Sequence, residues 1–217
     1  MPYPNYTTAE RITDGVVHVI GVSAALVAVT TWLWAPSWRM GGPIFLASAI
    51  YGGALILMLG ASATYHLAQN TRLRPVLRRI DHAAIYVKIA ATCTPFGVLL
   101  GTVFGYGLLG LVWGFALAGA AAKLMARPGR MTTGFWPQMA LGWAGVALIV
   151  PLWGRLPEQS LGMILAGGLV YSAAVIFYRW DNLHFATAIW HAFVLVATGC
   201  FFVGISSALA VALQVGP

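Results

Sequence analysis

Ser62 and His66 stand four residues apart near the polar end of an apolar run, IFLASAIYGGALILMLGASATYHLAQN. A helical turn takes ~3.6 residues, so the hydroxyl and the imidazole share a face. Four further histidines, His18, His82, His184 and His191, and the carboxylate of Asp81 fall within or at the ends of similar stretches. Neutral imidazole is the commonest zinc ligand, and three protein ligands plus water make a catalytic zinc site. Such a metal brings the pKa of its water to about 7 and yields a hydroxide able to attack a carbonyl. A serine and an aspartate in reach would orient that water or hold a ligand in its tautomer.

The elements that must position these groups follow from composition. Of 217 residues, 60% are hydrophobic and 8% charged, with mean hydropathy +0.83. Soluble domains carry roughly 25% charged residues, so this chain cannot cover a water-facing surface. Polar, Gly and Pro punctuation divides it into seven apolar spans, 14–35, 42–67, 80–101, 103–124, 134–153, 159–179 and 183–213. The expected fold is therefore all-α, one integral membrane domain over 1–217 with seven transmembrane helices. The last span is long enough to tilt or to break near Gly199. The opening MPYPNYTTAERITDG lacks a basic segment before an apolar core, so the first span is expected to be its own insertion signal. Cys93 and Cys200 lie inside spans, which excludes a disulfide scaffold or a CxxC metal site.

The net charge of +7 is distributed by topology. Arg72, Arg74, Arg78 and Arg79 fall between spans two and three, and Lys123, Arg127 and Arg130 between four and five. With Arg11 and Arg179 they lie on one side, whereas only Arg39 and Arg155 lie on the other. The positive-inside rule then places the N-terminus in the cytoplasm, in the plasma (bacterial inner) membrane. The basic excess reads as topology and attraction to lipid headgroups, not as nucleic-acid binding. Trp34, Trp38, Trp136, Trp153, Tyr178 and Trp180, near span ends, read as interfacial anchors.

With that topology all five histidines and Asp81 fall in the cytoplasmic half of the membrane. Ionisable groups in lipid need partners, so they are functional candidates. Structural readings stand beside this one. His18 can serve helix contacts near the interface, His82 and His184 can be solvated at headgroup depth, and Asp81 can cap a helix start. His66 and His191, each within apolar sequence, fit a buried site best.

Together SATYH, RRIDHAAIYVKIAATCTPF, ALGW at 140–143, GGLVYSAAVIFY at 167–178, TAIWHAFVL at 187–195 and the opening ERITDGVVHVIG resemble hemolysin III proteins. These are bacterial members of the progestin and adipoQ receptor family, whose wider superfamily includes alkaline ceramidases. The resemblance spans nearly the whole chain. It implies a seven-helix bundle with a cytoplasmic N-terminus, a zinc site, and hydrolysis of a lipid amide, with links to cytolysis or membrane-lipid homeostasis. By the same resemblance His66 and His191 are metal ligands, and Ser62 and Asp81 are catalytic or water-orienting groups.

Two positions depart from that pattern. The first histidine of the implied His-x-x-x-His pair is Thr187, a poor zinc ligand. His184, displaced from His191 by ~10 Å along a helix, joins a common metal only if the helix start is unwound. His18 or Asp81 is the other candidate for the shell. Lys88, in IYVKIAA, stands where the pattern has an aliphatic residue. Seven residues after Asp81, it shares that face and would snorkel to a cavity or pair with Asp81 in a metal-free site. The leading expectation is thus a protein acting on or sensing membrane lipids and, if it is catalytic, a zinc-dependent, ceramidase-like hydrolase. The alternatives are a non-catalytic regulator or receptor-like bundle, with Thr187 and Lys88 marking a degenerate metal site, and a pore-forming cytolysin.

Overall fold

The computed structural model describes residues 6–40, 42–68, 72–126, 135–180 and 182–215. Arg127 and Arg130, assigned above to a basic loop, lie outside the described residues. Seven helical segments follow in chain order. They are α1 (Thr8–Ser37), α2 (Gly42–Leu67), α3 (Arg74–Leu100), α4 (Val103–Met125), α5 (Trp136–Ala144), α6 (Glu158–Tyr178) and α7 (Ala186–Val215). All but α5 are long and apolar enough to cross a membrane. The apolar segment of α5 runs from Trp136 to Leu152 and turns 3₁₀ after Ala144. Nine residues at 1.5 Å and eight at about 2.0 Å reach about 30 Å, roughly the hydrocarbon thickness of a bilayer. The tighter helix type therefore stretches a short sequence to nearly full depth.

Helix starts outrun the apolar stretches. α1 begins at Thr8 rather than 14, because Thr7 and Glu10 form a capping box: the Glu10 amide donates to Thr7 Oγ1 at 3.2 Å and the Thr7 amide to Glu10 Oε2 at 2.8 Å. α3 begins at Arg74 rather than 80, with Pro75 in its first turn where a missing N–H costs nothing. Toward its end α1 widens into a π turn over Val29–Trp34, closed by the Ala35 amide on the Thr30 carbonyl. Pro36 follows directly and cannot donate back into the ladder, which accounts for the irregular register. α3 and α4 are joined at Gly101, whose φ of +63° suits glycine, followed by Thr102 capping the Gly105 amide at 3.1 Å. α7 continues past Gly199 without the break its length suggested.

α3 is the hub: 67% of its apolar window is buried, against 22–44% for the other spans. It packs on α2, α4, α5 and α7, while α1 closes the bundle between α2 and α7. Lipid tails are as apolar as leucine, so close backbone approach must hold such helices together. A Cβ on Gly204 would lie 3.1 Å from the Ser160 carbonyl, and one on Gly167 3.1 Å from that of Ala197, so α6 and α7 meet backbone to backbone. Ser160, fully buried, seals this contact by donating to the Gly204 carbonyl at 2.7 Å. Trp38, Trp136, Trp153, Tyr178 and Trp180 are exposed as anchors should be. Trp34 instead turns inward and donates to the Ser48 carbonyl at 3.1 Å, because the π turn rotates it toward α2.

Candidate metal centre

On α1 the buried residues Asp14, His18, Gly21 and Ala25 recur every three to four positions and form a single inward stripe. Its first two members are polar, and they meet the C-terminal turn of α2 and the first turns of α7. Asp14 is the hub of this meeting. Its Oδ1 lies 2.6 Å from His191 Nδ1 and its Oδ2 3.3 Å from His66 Nδ1. The ion pairs among the described residues all involve Asp14. Carboxylate and rings are each only about a tenth exposed at the side chain, so bulk water does little to screen them.

The three rings pack on one another. His18 stacks on His66 with centroids 5.2 Å apart, and His191 stands edge-on to both at 4.4 Å. His18 Nδ1 lies 2.8 Å from the Asp14 backbone carbonyl, which can only accept, so this nitrogen carries the proton. In the neutral ring Nε2 is then an acceptor, and the Ser62 hydroxyl, 3.2 Å away, donates to it. Ser62 also faces the carboxyl of Asp81, which α3 buries behind the cluster. The four-residue spacings Asp14/His18 and Ser62/His66 thus interlock across α1 and α2.

Asp14, His66 and His191 each bring one ligand atom within 4.8 Å of the other two. Two nitrogens and one carboxylate are a donor set that zinc accepts, and three protein ligands leave a position open. A tetrahedral site with bonds of ~2.0–2.1 Å has ligand–ligand edges near ~3.3 Å. The Asp14–His66 separation of 3.3 Å already matches, and the 2.6 Å Asp14–His191 contact is a hydrogen bond that would open. The residues therefore fit the metal. Beside them lies a small cavity of about 20 Å³, lined by Tyr6, Glu10, Asp14, His66 and Thr187 among others, enough for one water molecule.

A family model described as haemolysin-III related matches residues 6–202. The chain belongs to that family. It is 32% identical over 200 residues to a hemolysin-3 homolog of Bacillus subtilis (strain 168), covering 91% of this chain and 93% of the relative. It is 29% identical over 194 residues to hemolysin-3 of Bacillus cereus, covering 89% of each.

In this haemolysin-III related bundle the two histidines expected as ligands, His66 and His191, lie together, and Ser62 and Asp81 lie beside them. Thr187 faces the same mouth but is engaged elsewhere, its Oγ1 2.7 Å from the Tyr6 hydroxyl. His184 sits on the turn before α7, where it faces Glu10. Among the described residues neither His184 nor His82 makes a ring contact or ion pair with the cluster. Lys88 shares a face with Asp81 but forms no ion pair with it: seven residues separate them by ~10 Å along α3, and the ammonium lies 4.7 Å over the Phe201 ring.

Sequence reasoning passed over Asp14 as a ligand. The signal was available, since an acidic residue one turn before a histidine in an apolar helix must find partners. Also invisible in sequence was the tie across the mouth. Glu10 accepts the Phe185 amide at 3.0 Å while Phe185 adopts a φ of +62°, a conformation uncommon for a non-glycine residue.

Proposed function

We propose that this chain is a metal-dependent hydrolase of membrane-lipid amides or esters, with zinc held by Asp14, His66 and His191. The observation that carries the reading is the convergence of these three ligand atoms within 4.8 Å, at one end of a bundle whose outside is apolar. Zinc bound there would supply a nucleophilic hydroxide near neutral pH and polarise the lipid carbonyl. The remaining steps belong to the chain. Asp14 would serve as the third ligand in the role that Thr187 leaves unfilled, its hydrogen bond with His191 giving way to the metal. His18, with Nδ1–H on the Asp14 carbonyl, holds the Ser62 hydroxyl through Nε2. Ser62 and Asp81 then provide a polar path along which a proton leaves the attacking water and reaches the leaving group. Apolar walls from α1, α2 and α7 exclude bulk water and strengthen these interactions.

Arg72, Arg74, Arg78, Arg79 and Lys123 gather at the end of the bundle that carries the site, which supports a cytoplasmic location for it. A second reading, a non-catalytic lipid-responsive regulator, is favoured by the closed mouth, where Tyr6 ties Thr187 and Glu10 ties Phe185. One assay separates the two. Purified protein in detergent–lipid micelles is given a short-chain fluorescent ceramide and the corresponding fluorescent ester. The hydrolase reading expects turnover of one or both that a chelator abolishes, added zinc restores and His191→Ala lacks. Zinc-loaded protein that cleaves neither substrate refutes it.

A further inference from the structure

His66 is reached from two directions. One is the small closed mouth described above. The other is a groove of about 640 Å³ on the outside of the bundle, between α1 and α2. A volume of this size lies within the ~300–1,000 Å³ of small-molecule and cofactor sites. Its floor is Gly15, with His66 and Leu67 along one side. Glycine makes the depth: a Cβ at position 15 would already lie 3.1 Å from Leu67 Cδ2. Its wall is the outward face of α1, where Ile12, Val16, Val19 and Ile20 are 52–62% exposed. From Thr8 to Ile20 the groove follows α1 for about 18 Å, about half the thickness of a hydrocarbon core and somewhat more.

Apolar outward faces are ordinary in a membrane protein, and three features set this one apart. It is concave. At one end it reaches the imidazole of His66. A cation, Arg11, lines both it and the mouth of the site, at the level where the helix leaves the apolar region. No side-chain partner of the Arg11 guanidinium is found among the described residues. A planar guanidinium of this kind binds phosphate through two parallel hydrogen bonds.

We propose that the α1–α2 groove binds one acyl chain of an anionic phospholipid of the surrounding bilayer, with Arg11 on the phosphate and the chain lying along Ile12, Val16, Val19 and Ile20 to His66. The inference rests on the hydrolase reading for its consequence, since it names the side from which a lipid reaches the metal centre. A lipid so placed enters sideways from its own leaflet and need not pass the Tyr6–Thr187 tie.

The test uses the full chain in nanodiscs containing either phosphatidylglycerol or phosphatidylcholine with a diazirine in the acyl chain, the adducts being mapped by mass spectrometry. Wild type is expected to concentrate phosphatidylglycerol adducts on residues 12–20 and Leu67. Arg11→Gln should lower them about fivefold, to the phosphatidylcholine level. Val16→Trp, which fills the groove from an exposed position, should remove them, and Leu117→Trp, on the outward face of α4, should not. Adducts spread evenly over the outward faces of all helices, or unchanged in Val16→Trp, overturn the proposal. Zinc content measured on the same samples keeps the two readings apart. Bound zinc without groove adducts refutes the groove alone, and groove adducts without zinc refute the metal reading alone.

Discussion

Asp14→Asn is the most informative single substitution, because it keeps the shape of the side chain and removes its charge. In wild type Asp14 receives His191 at 2.6 Å and lies 3.3 Å from His66. Asparagine keeps one acceptor oxygen, so the His191 hydrogen bond survives in neutral form, and His66 can switch tautomer to accept from the new amide. Hydrogen bonds to charged groups contribute about 1.5–3 kcal/mol and neutral ones about 0.5–1.5, so folding should weaken by about 1–2 kcal/mol. Metal affinity should fall much further. Loss of a group that merely orients a ligand already costs about 10–100-fold, so loss of a ligand carboxylate should cost at least about a hundredfold, or about 2.8 kcal/mol. Competition with a fluorescent zinc chelator measures that constant, and thermal unfolding of the metal-free protein measures the folding cost separately. Thr187→His adds an imidazole one turn before His191, on the same helix face, and should recover much of the affinity in the Asp14→Asn background. Wild-type zinc binding by Asp14→Asn, with loss of zinc in His66→Ala and His191→Ala, would refute Asp14 as a ligand.

Three further outcomes follow from the packing. Lys88 is 5% exposed, and its ammonium lies over the Phe201 ring without an ion pair among the described residues; insertion costs about 2.5–3.5 kcal/mol and the ring returns up to about 2, so Lys88→Met should stabilise by about 1 kcal/mol, and a fall in melting temperature would show that an anion pairs with it. A Cβ on Gly52 would lie 2.5 Å from Val29 Cγ1 and 2.7 Å from Trp34 Nε1, so Gly52→Ala should cost about 1–3 kcal/mol by overpacking and shift Trp34 fluorescence; unchanged unfolding in detergent would contradict the α1–α2 packing. Glu10→Ala removes both the capping box and the acceptor of the Phe185 amide, so hydrogen exchange should speed up at residues 7–11 and 185–187 with a small loss of stability; protection equal to wild type would deny the tie.

The seven segments were legible because hydrophobicity in lipid is a one-dimensional signal: about 20 apolar residues are needed, and Gly, Pro and polar clusters end them. Helix starts at Thr8 and Arg74 lie outside the apolar spans because the Thr7–Glu10 capping box and a first-turn proline at Pro75 extend helices into polar sequence, which hydropathy ignores. Trp34 was misplaced because a π turn rotates side chains away from the ideal register. Spacing and resemblance single out Ser62, His66, Asp81 and His191, and the structure brings these four side chains near one another. Asp14 was not singled out, since its role depends on α1 lying between α2 and α7, a packing fact no local pattern encodes. The Asp81–Lys88 pairing had the right face but ignored the distance along the axis.

Whether Asp14, His66 and His191 hold one zinc inside the bundle is decided by zinc-edge X-ray absorption on the purified protein. The expected spectrum is that of one zinc per chain bound by two imidazoles and oxygen ligands, with the zinc lost in His191→Ala. Purified protein saturated with zinc and then washed free of it, with no ion retained, would contradict it.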